Sequence, residues 1–265
     1  MTRFATDTAV RPLGGGRYAA TIDRGWWIER GPNGGYLAAI LLRAVQTEVA
    51  DPARRPRTLT IHYLRPPVEG ECEVRVTVER AGRGLTTVTA RLRQGDQDLL
   101  VALCALGSDR PGPTLHDHPS PEVPAPADTP IPVMPPGAPT VPMRERYEQR
   151  PCLGAGPFQA ADHALTGGWI RTVEDDPLDS VLVAAVTDAW MPAVFSVMQE
   201  RMGVPTVELT VHFRNPAPAG SSWALVRFRT LEVSDGYLDE SGEVWAEDGT
   251  LLAESRQLGV ILAAP

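Results

Sequence analysis

One short sequence occurs twice in this chain of 265 residues. TIHYLRP occupies Thr60–Pro66, and the similar sequence TVHFRNP occupies Thr210–Pro216, 150 positions later. Solenoids and propellers repeat roughly every 20–50 residues. The spacing therefore indicates two copies of a whole small domain, each limited to about half of the chain.

A proline-rich segment separates the two copies. Residues 110–142 contain 12 of the 26 prolines, and a segment of this composition can form neither a helix nor a central strand. We expect a semi-rigid linker there, joining an N-terminal domain at residues 1–109 to a C-terminal domain at residues 143–265. His116 and His118 in this segment have no third ligand nearby in the sequence, so no metal site is predicted.

Each copy has the pattern of one helix followed by four strands. Apolar residues recur at helical spacing after Asn33, a suitable N-cap, and LDSVLVAAVTDAW predicts the equivalent helix at Leu178–Trp190. Alternating hydrophobicity predicts the strands Thr58–Leu64, Cys72–Arg80, Leu85–Gln94 and Leu99–Leu106, then Val207–Phe213, Trp223–Leu231, Tyr237–Ala246 and Leu251–Leu262. A short tryptophan-bearing segment before each helix predicts the first strand of each sheet, at Arg24–Glu29 and Gly167–Thr172.

Composition excludes several classes of protein. A net charge of -8 and a pI of about 5.2 argue against nucleic-acid binding and favour a small-molecule partner. All 25 basic residues are arginine, which excludes a Schiff-base lysine and a P-loop lysine. Three widely spaced cysteines predict a reducing compartment. With no leader-like start and no long apolar run, we expect a cytoplasmic protein without a membrane span.

The repeated helix-and-meander order resembles the double hotdog architecture of the acyl-CoA thioesterase II family. The residues that carry the resemblance are YLRPP at Tyr63–Pro67 and, in the second copy, VTDAW, PTVELTVHF and ESRQLGV. The resemblance implies an α+β fold in which two antiparallel sheets each wrap around a central helix. It also implies hydrolysis of acyl-CoA to free acid and CoA, no cofactor, and a homo-oligomer (dimer or larger).

The same resemblance transfers the family's hydrolytic residues to the second copy only. They correspond to Asp188, Thr206 and Gln257. When the two copies are aligned, the first has Leu42, Pro56 and Ala105 at these positions. One catalytic centre per pair of copies is therefore expected.

The first copy has its own distinctive feature, Gly34 and Gly35 at the start of its helix, where the second has Ser180 and Val181. Free N–H groups at a helix start can stabilise a carbonyl oxygen that becomes negative during attack. If the two helices pack antiparallel, as in this superfamily, these glycines would lie close to Asp188. The hypothesis is that Gly34 or Gly35 polarises the thioester carbonyl, and that Asp188 acts as general base on a water held by Thr206 and Gln257.

Three alternatives bear on this hypothesis. Direct attack by Asp188, giving a mixed anhydride, stays open. Hotdog enoyl-CoA hydratases require a D-x(4)-H pair, but the residue five positions after Asp188 is Ala193, and no G-x-S-x-G elbow supports an α/β-hydrolase. The main alternative is a non-catalytic module that binds acyl-CoA or acyl-carrier protein, because a fold alone does not establish catalysis.

Overall fold

The two repeated sequences lie side by side in the centre of one sheet. In the computed structural model, which describes residues 1–133 and 141–262, strand β3 (Arg55–Tyr63) pairs antiparallel with strand β9 (Thr206–Phe213). Thr60 lies opposite Thr210, and their Oγ1 atoms are 2.9 Å apart. Residues 134–140 of the predicted linker lie outside the described residues.

Twelve strands in the described part of the chain form this sheet, in the order β1-β2-β4-β5-β6-β3-β9-β12-β11-β10-β8-β7. The other strands are β1 (Arg11–Gly14), β2 (Arg17–Ile22), β4 (Gly70–Ala81), β5 (Leu85–Gln94), β6 (Gln97–Gly107), β7 (Tyr147–Gly154), β8 (Leu165–Thr172), β10 (Ala224–Ser234), β11 (Tyr237–Ala246) and β12 (Leu251–Val260). Counted outward from β3 and β9, the two halves have matching strand orders. The expectation of two separate sheets is wrong, because the inner edge of each half pairs with the other half.

The two tryptophan-bearing segments differ in structure. Gly167–Thr172 lies within β8, as expected, but Arg24–Glu29 is not a strand. Arg24–Trp26 forms a single 3-10 turn because the Asp23 carboxylate accepts a hydrogen bond from the Gly25 N–H and caps it. The outer strands β1, β2 and β7 were not predicted.

Two helices pack antiparallel against the inner face of the sheet. Helix α2 (Gly34–Val49) ends beside the start of helix α3 (Ser180–Val186), where Gln46 Nε2 donates to Ser180 Oγ at 2.9 Å. At the opposite end, a Cβ atom on Gly35 would overlap the carbonyl oxygen of Ala185. A short helix α1 (Arg3–Asp7) precedes the sheet. No helix among the described residues is both long and apolar enough to cross a membrane.

Helix α3 is shorter than its sequence predicts. It ends at Val186, so Asp188 lies in the turn that follows and not within the helix. Two side chains from other elements bind the carbonyl groups of this turn: Asn33 Nδ2 donates to the Asp188 carbonyl at 2.6 Å, and Gln149 Nε2 donates to the Ala189 carbonyl at 2.7 Å. These contacts satisfy backbone groups that a longer helix would have paired internally.

Candidate active site

Asp188 lies against the first turn of α2. Its Oδ2 atom accepts hydrogen bonds from the Gly35 N–H at 2.9 Å and from Asn33 Nδ2 at 3.0 Å. The Oδ1 atom of Asn33 meanwhile accepts from the Tyr36 N–H and caps the helix. The start of α2 therefore holds a carboxylate that belongs to the other half of the chain, where N–H groups and the helix dipole favour negative charge.

The two glycines have different surroundings. Gly35 is buried, and its N–H group is engaged by Asp188. Gly34 keeps partial solvent access; a Cβ atom there would lie 2.8 Å from Asp188 Oδ2 and 3.0 Å from the Tyr63 hydroxyl. Both backbone N–H groups therefore lie beside the Asp188 carboxylate, and Gly34 is the more solvent-accessible of the two residues.

Burial makes Asp188 a stronger base than an exposed aspartate. Removal from water raises the pKa of Asp188 to about 6. Polar contacts from Gly35, Gln257, Gly34 and Asn33 oppose this shift because they stabilise the charged form. The carboxylate is therefore largely ionised at neutral pH and can still accept a proton.

Gln257 joins Asp188 to Thr206, which lies on the neighbouring strand. Thr206 begins β9, and Gln257 is buried on β12 with its Nε2 atom donating to Thr206 Oγ1. The Gln257 amide also contacts the Asp188 carboxylate and lowers its pKa. The structure thus brings all three sequence-predicted polar residues together, with Gly34 and Gly35 on the facing helix.

Asn33 is a residue whose wider contacts sequence analysis missed. It was predicted only as the cap of α2, but its amide nitrogen binds both the side chain and the backbone of Asp188. Its counterpart Asp179 caps α3 in the same way with a carboxylate. The sequence signal was the difference between Asn33 and Asp179 at matching positions of the two copies. The amide of Asn33 can donate a hydrogen bond to Asp188, whereas an ionised aspartate can only accept one.

Tyr63 is a second missed residue. Its hydroxyl donates to the Gly34 carbonyl at 3.0 Å. Burial, together with the negative charges of Asp188 and Glu208, raises the pKa of Tyr63, so it stays protonated and remains a donor. The second copy has Phe213 at the matching position, which was the available sequence signal.

Glu240 is a third missed residue and a second buried carboxyl group in this region. It lies on β11 opposite Gln257 and is 6% exposed. Its Oε2 atom accepts from the Ala193 N–H and, at 3.4 Å, from Thr230 Oγ1. Burial raises the pKa of Glu240 to about 7, and the charge of Asp188 contributes in the same direction.

A cavity of about 550 Å³ lies at the other end of the helix pair. Its walls include Pro56, Ser180 and Phe213, the counterparts of Thr206, Gly34 and Tyr63. The internal repeat therefore makes this cavity equivalent in position to the Asp188 site, but its walls carry different polar groups. Within residues 1–133 and 141–262, no cluster of three or more His, Cys, Asp or Glu side chains could hold a metal ion.

Comparison with known proteins identifies the family. The acyl-CoA thioesterase N-terminal domain matches residues 23–108, and the acyl-CoA thioesterase C-terminal domain matches residues 119–261. The chain belongs to the acyl-CoA thioesterase family. The resemblance seen in the sequence is thereby confirmed, and membership of the family supports thioesterase activity in general terms.

Solved structures and sequence relatives are similar to this chain over nearly its whole length. A protein of unknown function with a hotdog fold from Alicyclobacillus acidocaldarius is 27% identical, with a TM-score of 0.89 and 100% of each chain covered. A putative thioesterase II from Thermobifida fusca is also 27% identical, with a TM-score of 0.84 over 98% of this chain and 99% of the other. An uncharacterised protein of Mycobacterium tuberculosis is 26% identical over 98% of both chains.

Proposed function

We propose that this protein hydrolyses acyl-CoA to a free acid and CoA, with Asp188 as the general base. The observation that carries the proposal is a half-buried carboxylate held by the first turn of α2 and contacted by Gln257, which in turn binds Thr206. A thioester carbonyl has little resonance stabilisation, so a positioned water and a base suffice for its hydrolysis.

In the proposed reaction, Asp188 takes a proton from a water molecule as the water oxygen bonds to the thioester carbonyl carbon. Gln257 and Thr206 orient this water, and the N–H of Gly34, beside the Asp188 carboxylate, turns to the substrate and stabilises the negative charge on the carbonyl oxygen. The tetrahedral intermediate then re-forms the carbonyl and breaks the carbon–sulfur bond. Asp188 returns its proton to the departing CoA thiolate.

Two residues keep Asp188 in place for this role. Asn33 binds the side chain and the backbone of Asp188, and Gly35 supplies a backbone donor to the carboxylate. Tyr63 fixes the carbonyl of Gly34, and with it the peptide that carries the proposed carbonyl-binding position. Such support matters because a small displacement of the reacting groups costs much of the rate.

A panel of acyl-CoA substrates of different chain length tests the proposal by release of free thiol. The proposal expects turnover with at least one member of the panel. Tight binding of an acyl-CoA or acyl-carrier protein without thiol release would instead favour the non-catalytic binding module.

Hydrolysis in oxygen-18 water separates the two chemical routes under single-turnover conditions. General-base catalysis places the label in the free acid alone. A mixed anhydride that water opens at the carbonyl carbon of Asp188 places the label in the carboxyl group of Asp188, which mass spectrometry of the enzyme would detect.

Assembly and location are further parts of the proposal. We expect a homo-oligomer, dimer or larger, and gel filtration with light scattering measures its mass. A cytoplasmic location and the division at residues 1–109, 110–142 and 143–265 also stay predictions; fractionation and limited proteolysis test them.

A further inference from the structure

The cavity at the other end of the helix pair has no part in the proposed reaction. Its volume of about 550 Å³ lies within the range of small-molecule binding sites. It lies where α2 ends beside the start of α3, whereas Asp188 lies at the start of α2 and is not one of the residues that line the cavity. The cavity is therefore separate from the Asp188 site and has room for a ligand of its own.

The floor of the cavity, which we define as its buried lining residues, is apolar. It includes Leu106 on β6, Val183 on α3 and Leu252 on β12, each at most 4% exposed. The polar side chains of the two helices beside it satisfy each other, since Gln46 Nε2 donates to Ser180 Oγ at 2.9 Å. The floor therefore favours an apolar group of a ligand, because removing apolar surface from water is favourable.

Two arginines line the cavity next to floor residues. Arg55 lies opposite Gly107 in the β3–β6 pair, and Gly107 follows the floor residue Leu106. The backbone N–H of Arg214 donates to the carbonyl of the floor residue Leu252 at 2.8 Å. A negative group at the end of an apolar chain in the cavity would therefore lie close to these arginines.

The guanidinium groups of Arg55 and Arg214 are available to a ligand. In the part of the chain that the structure describes, Arg214 forms its one ion pair with Glu254 at 3.6 Å, and the two side chains are 53% and 45% exposed. Arg55 pairs with Asp109, whose side chain is 73% exposed. Exposed ion pairs contribute little to stability, so a carboxylate in the cavity could replace either partner.

The other charged residues that line the cavity are already paired. Arg54 Nε binds Asp51 Oδ2 at 2.8 Å, and the Asp179 carboxylate accepts two backbone N–H groups at the start of α3. In total, three arginines and two aspartates line the cavity, although the chain as a whole has a net charge of -8. The cavity is therefore a locally positive region that favours an anion.

The Asp188 site has the opposite charge. At the positions that correspond to Arg55 and Arg214, the repeat places Pro205 and Leu64 at that end of the molecule. Asp188 is largely ionised at neutral pH and would repel a carboxylate. A carboxylate ligand is therefore expected to prefer the cavity.

We propose that the cavity is a second binding site, for a monocarboxylate whose apolar chain contacts the floor and whose carboxylate binds Arg55 and Arg214. These arginines adjoin the floor directly, so the charge of the ligand belongs at the end of its chain, as in a free acid, and not at a distance from it, as in acyl-CoA. The inference goes beyond the proposed function because binding requires no hydrolysis. The acid that a thioesterase releases nevertheless belongs to this class of ligand.

Methyl NMR of the full chain locates the ligand, with sodium octanoate as the probe. We expect saturable shifts of the methyl groups of Leu106, Val183 and Leu252. Octan-1-ol has the same chain without the charge, and it should bind roughly tenfold more weakly. The inference is overturned by the absence of shifts at these three residues, by shifts confined to the Asp188 end of the helices, or by equal affinity for octan-1-ol.

The double variant Arg55→Gln/Arg214→Gln tests the carboxylate contacts by calorimetric titration with octanoate. We expect its Kd to rise roughly tenfold or more. The matched control is Arg57→Gln, because Arg57 lies on the same strand as Arg55 and also pairs with Asp109, but does not line the cavity. The control should keep the wild-type Kd.

An unchanged Kd in the double variant, or an equal rise in the control, would overturn the inference. If the double variant does not fold, the comparison of octanoate with octan-1-ol on the wild-type protein decides instead. None of these measurements uses a thioester. A protein inactive on every acyl-CoA would therefore refute the proposed function and leave the test of the cavity intact.

Discussion

At the scale of single residues, the site depends on a division between the two copies. The acid, Asp188, comes from the second copy, whereas the amide and hydroxyl groups that hold it in place, Asn33, Gly35 and Tyr63, come from the first. Each of the latter has a counterpart that could not replace it: Asp179, Val181 and Phe213. The two copies therefore differ in the side chains that build the site, although their strand orders match.

Replacing Asp188 by asparagine should abolish most hydrolysis and stabilise the protein. The raised pKa means that the folded state holds the proton more tightly than the unfolded chain, so stability falls as pH rises from about 4 to about 6. Asparagine avoids that cost, which is on the order of 1–3 kcal/mol at neutral pH. We expect activity to fall at least about 100-fold, with a higher Tm at pH 7.5 and a smaller gain near pH 4.

Asp239→Asn is the control for that experiment, since Asp239 lies on the outer side and pairs with Arg256. It should leave activity unchanged. Near-normal turnover by Asp188→Asn would remove Asp188 from the mechanism. In the wild type, kcat/KM should decline as pH falls through about 6, because protonated Asp188 cannot act as a base.

Asn33→Asp offers a sharper test of the surroundings of Asp188. Aspartate can still cap α2, as Asp179 caps α3, so the fold should persist. The new carboxylate replaces a donor to Asp188 by a like charge and raises its pKa further. We expect the acidic limb of the pH profile to move to higher pH and kcat at pH 7 to fall; an unmoved limb would contradict the assigned contact.

At the scale of elements, the antiparallel helices bring the two contributions together. They lie close together at Gly35, where any side chain would overlap the backbone of α3. Gly35 therefore has two roles: its N–H donates to Asp188, and its lack of a side chain allows α2 and α3 to pack closely. Gly34, one position earlier, faces movable side chains.

Alanine at each glycine should separate these roles. Gly35→Ala must push the helices apart and is expected to lower stability by about 2 kcal/mol or more, measured by urea unfolding. Gly34→Ala presses on Asp188 and Tyr63, which can shift, so we expect near-normal stability but at least tenfold lower kcat. Equal stability of the two variants would contradict the helix contact.

Sequence analysis predicted most elements but not their ends or their partners. Period-two hydrophobicity identified β4, β5 and β11 because one face of each is buried. The end of α3 was missed since it depends on Asn33 and Gln149, side chains remote in sequence. Glu240 was overlooked because a carboxyl group at an inward position conflicts with the burial pattern that defines the strand.

At the scale of the whole molecule, the halves share one sheet and one pair of packed helices. The β3–β9 junction and the α2–α3 contact both cross from one copy to the other. The described linker also lies on the second half, where Trp169 Nε1 donates to the Pro124 carbonyl at 2.9 Å and His118 stacks on Trp245. Neither half could keep its contacts if the other unfolded.

Calorimetry should therefore show a single unfolding transition for the full chain, with equal calorimetric and van't Hoff enthalpies. Gly35→Ala, which acts at the contact between the copies, should lower that one transition without splitting it. Two resolved transitions would mean that the halves unfold independently.

Thr60 lies opposite Thr210 in the β3–β9 pair. The most similar sequences of the two copies therefore meet at the internal symmetry axis of the molecule. Two identical chains could have met in the same way, but each would have been free to change partners. When the two copies belong to one chain, their pairing is permanent, and two identical sets of site residues are no longer both needed. Each half could then lose what its neighbour supplied, so the asymmetry of the site follows from a join that stayed symmetric.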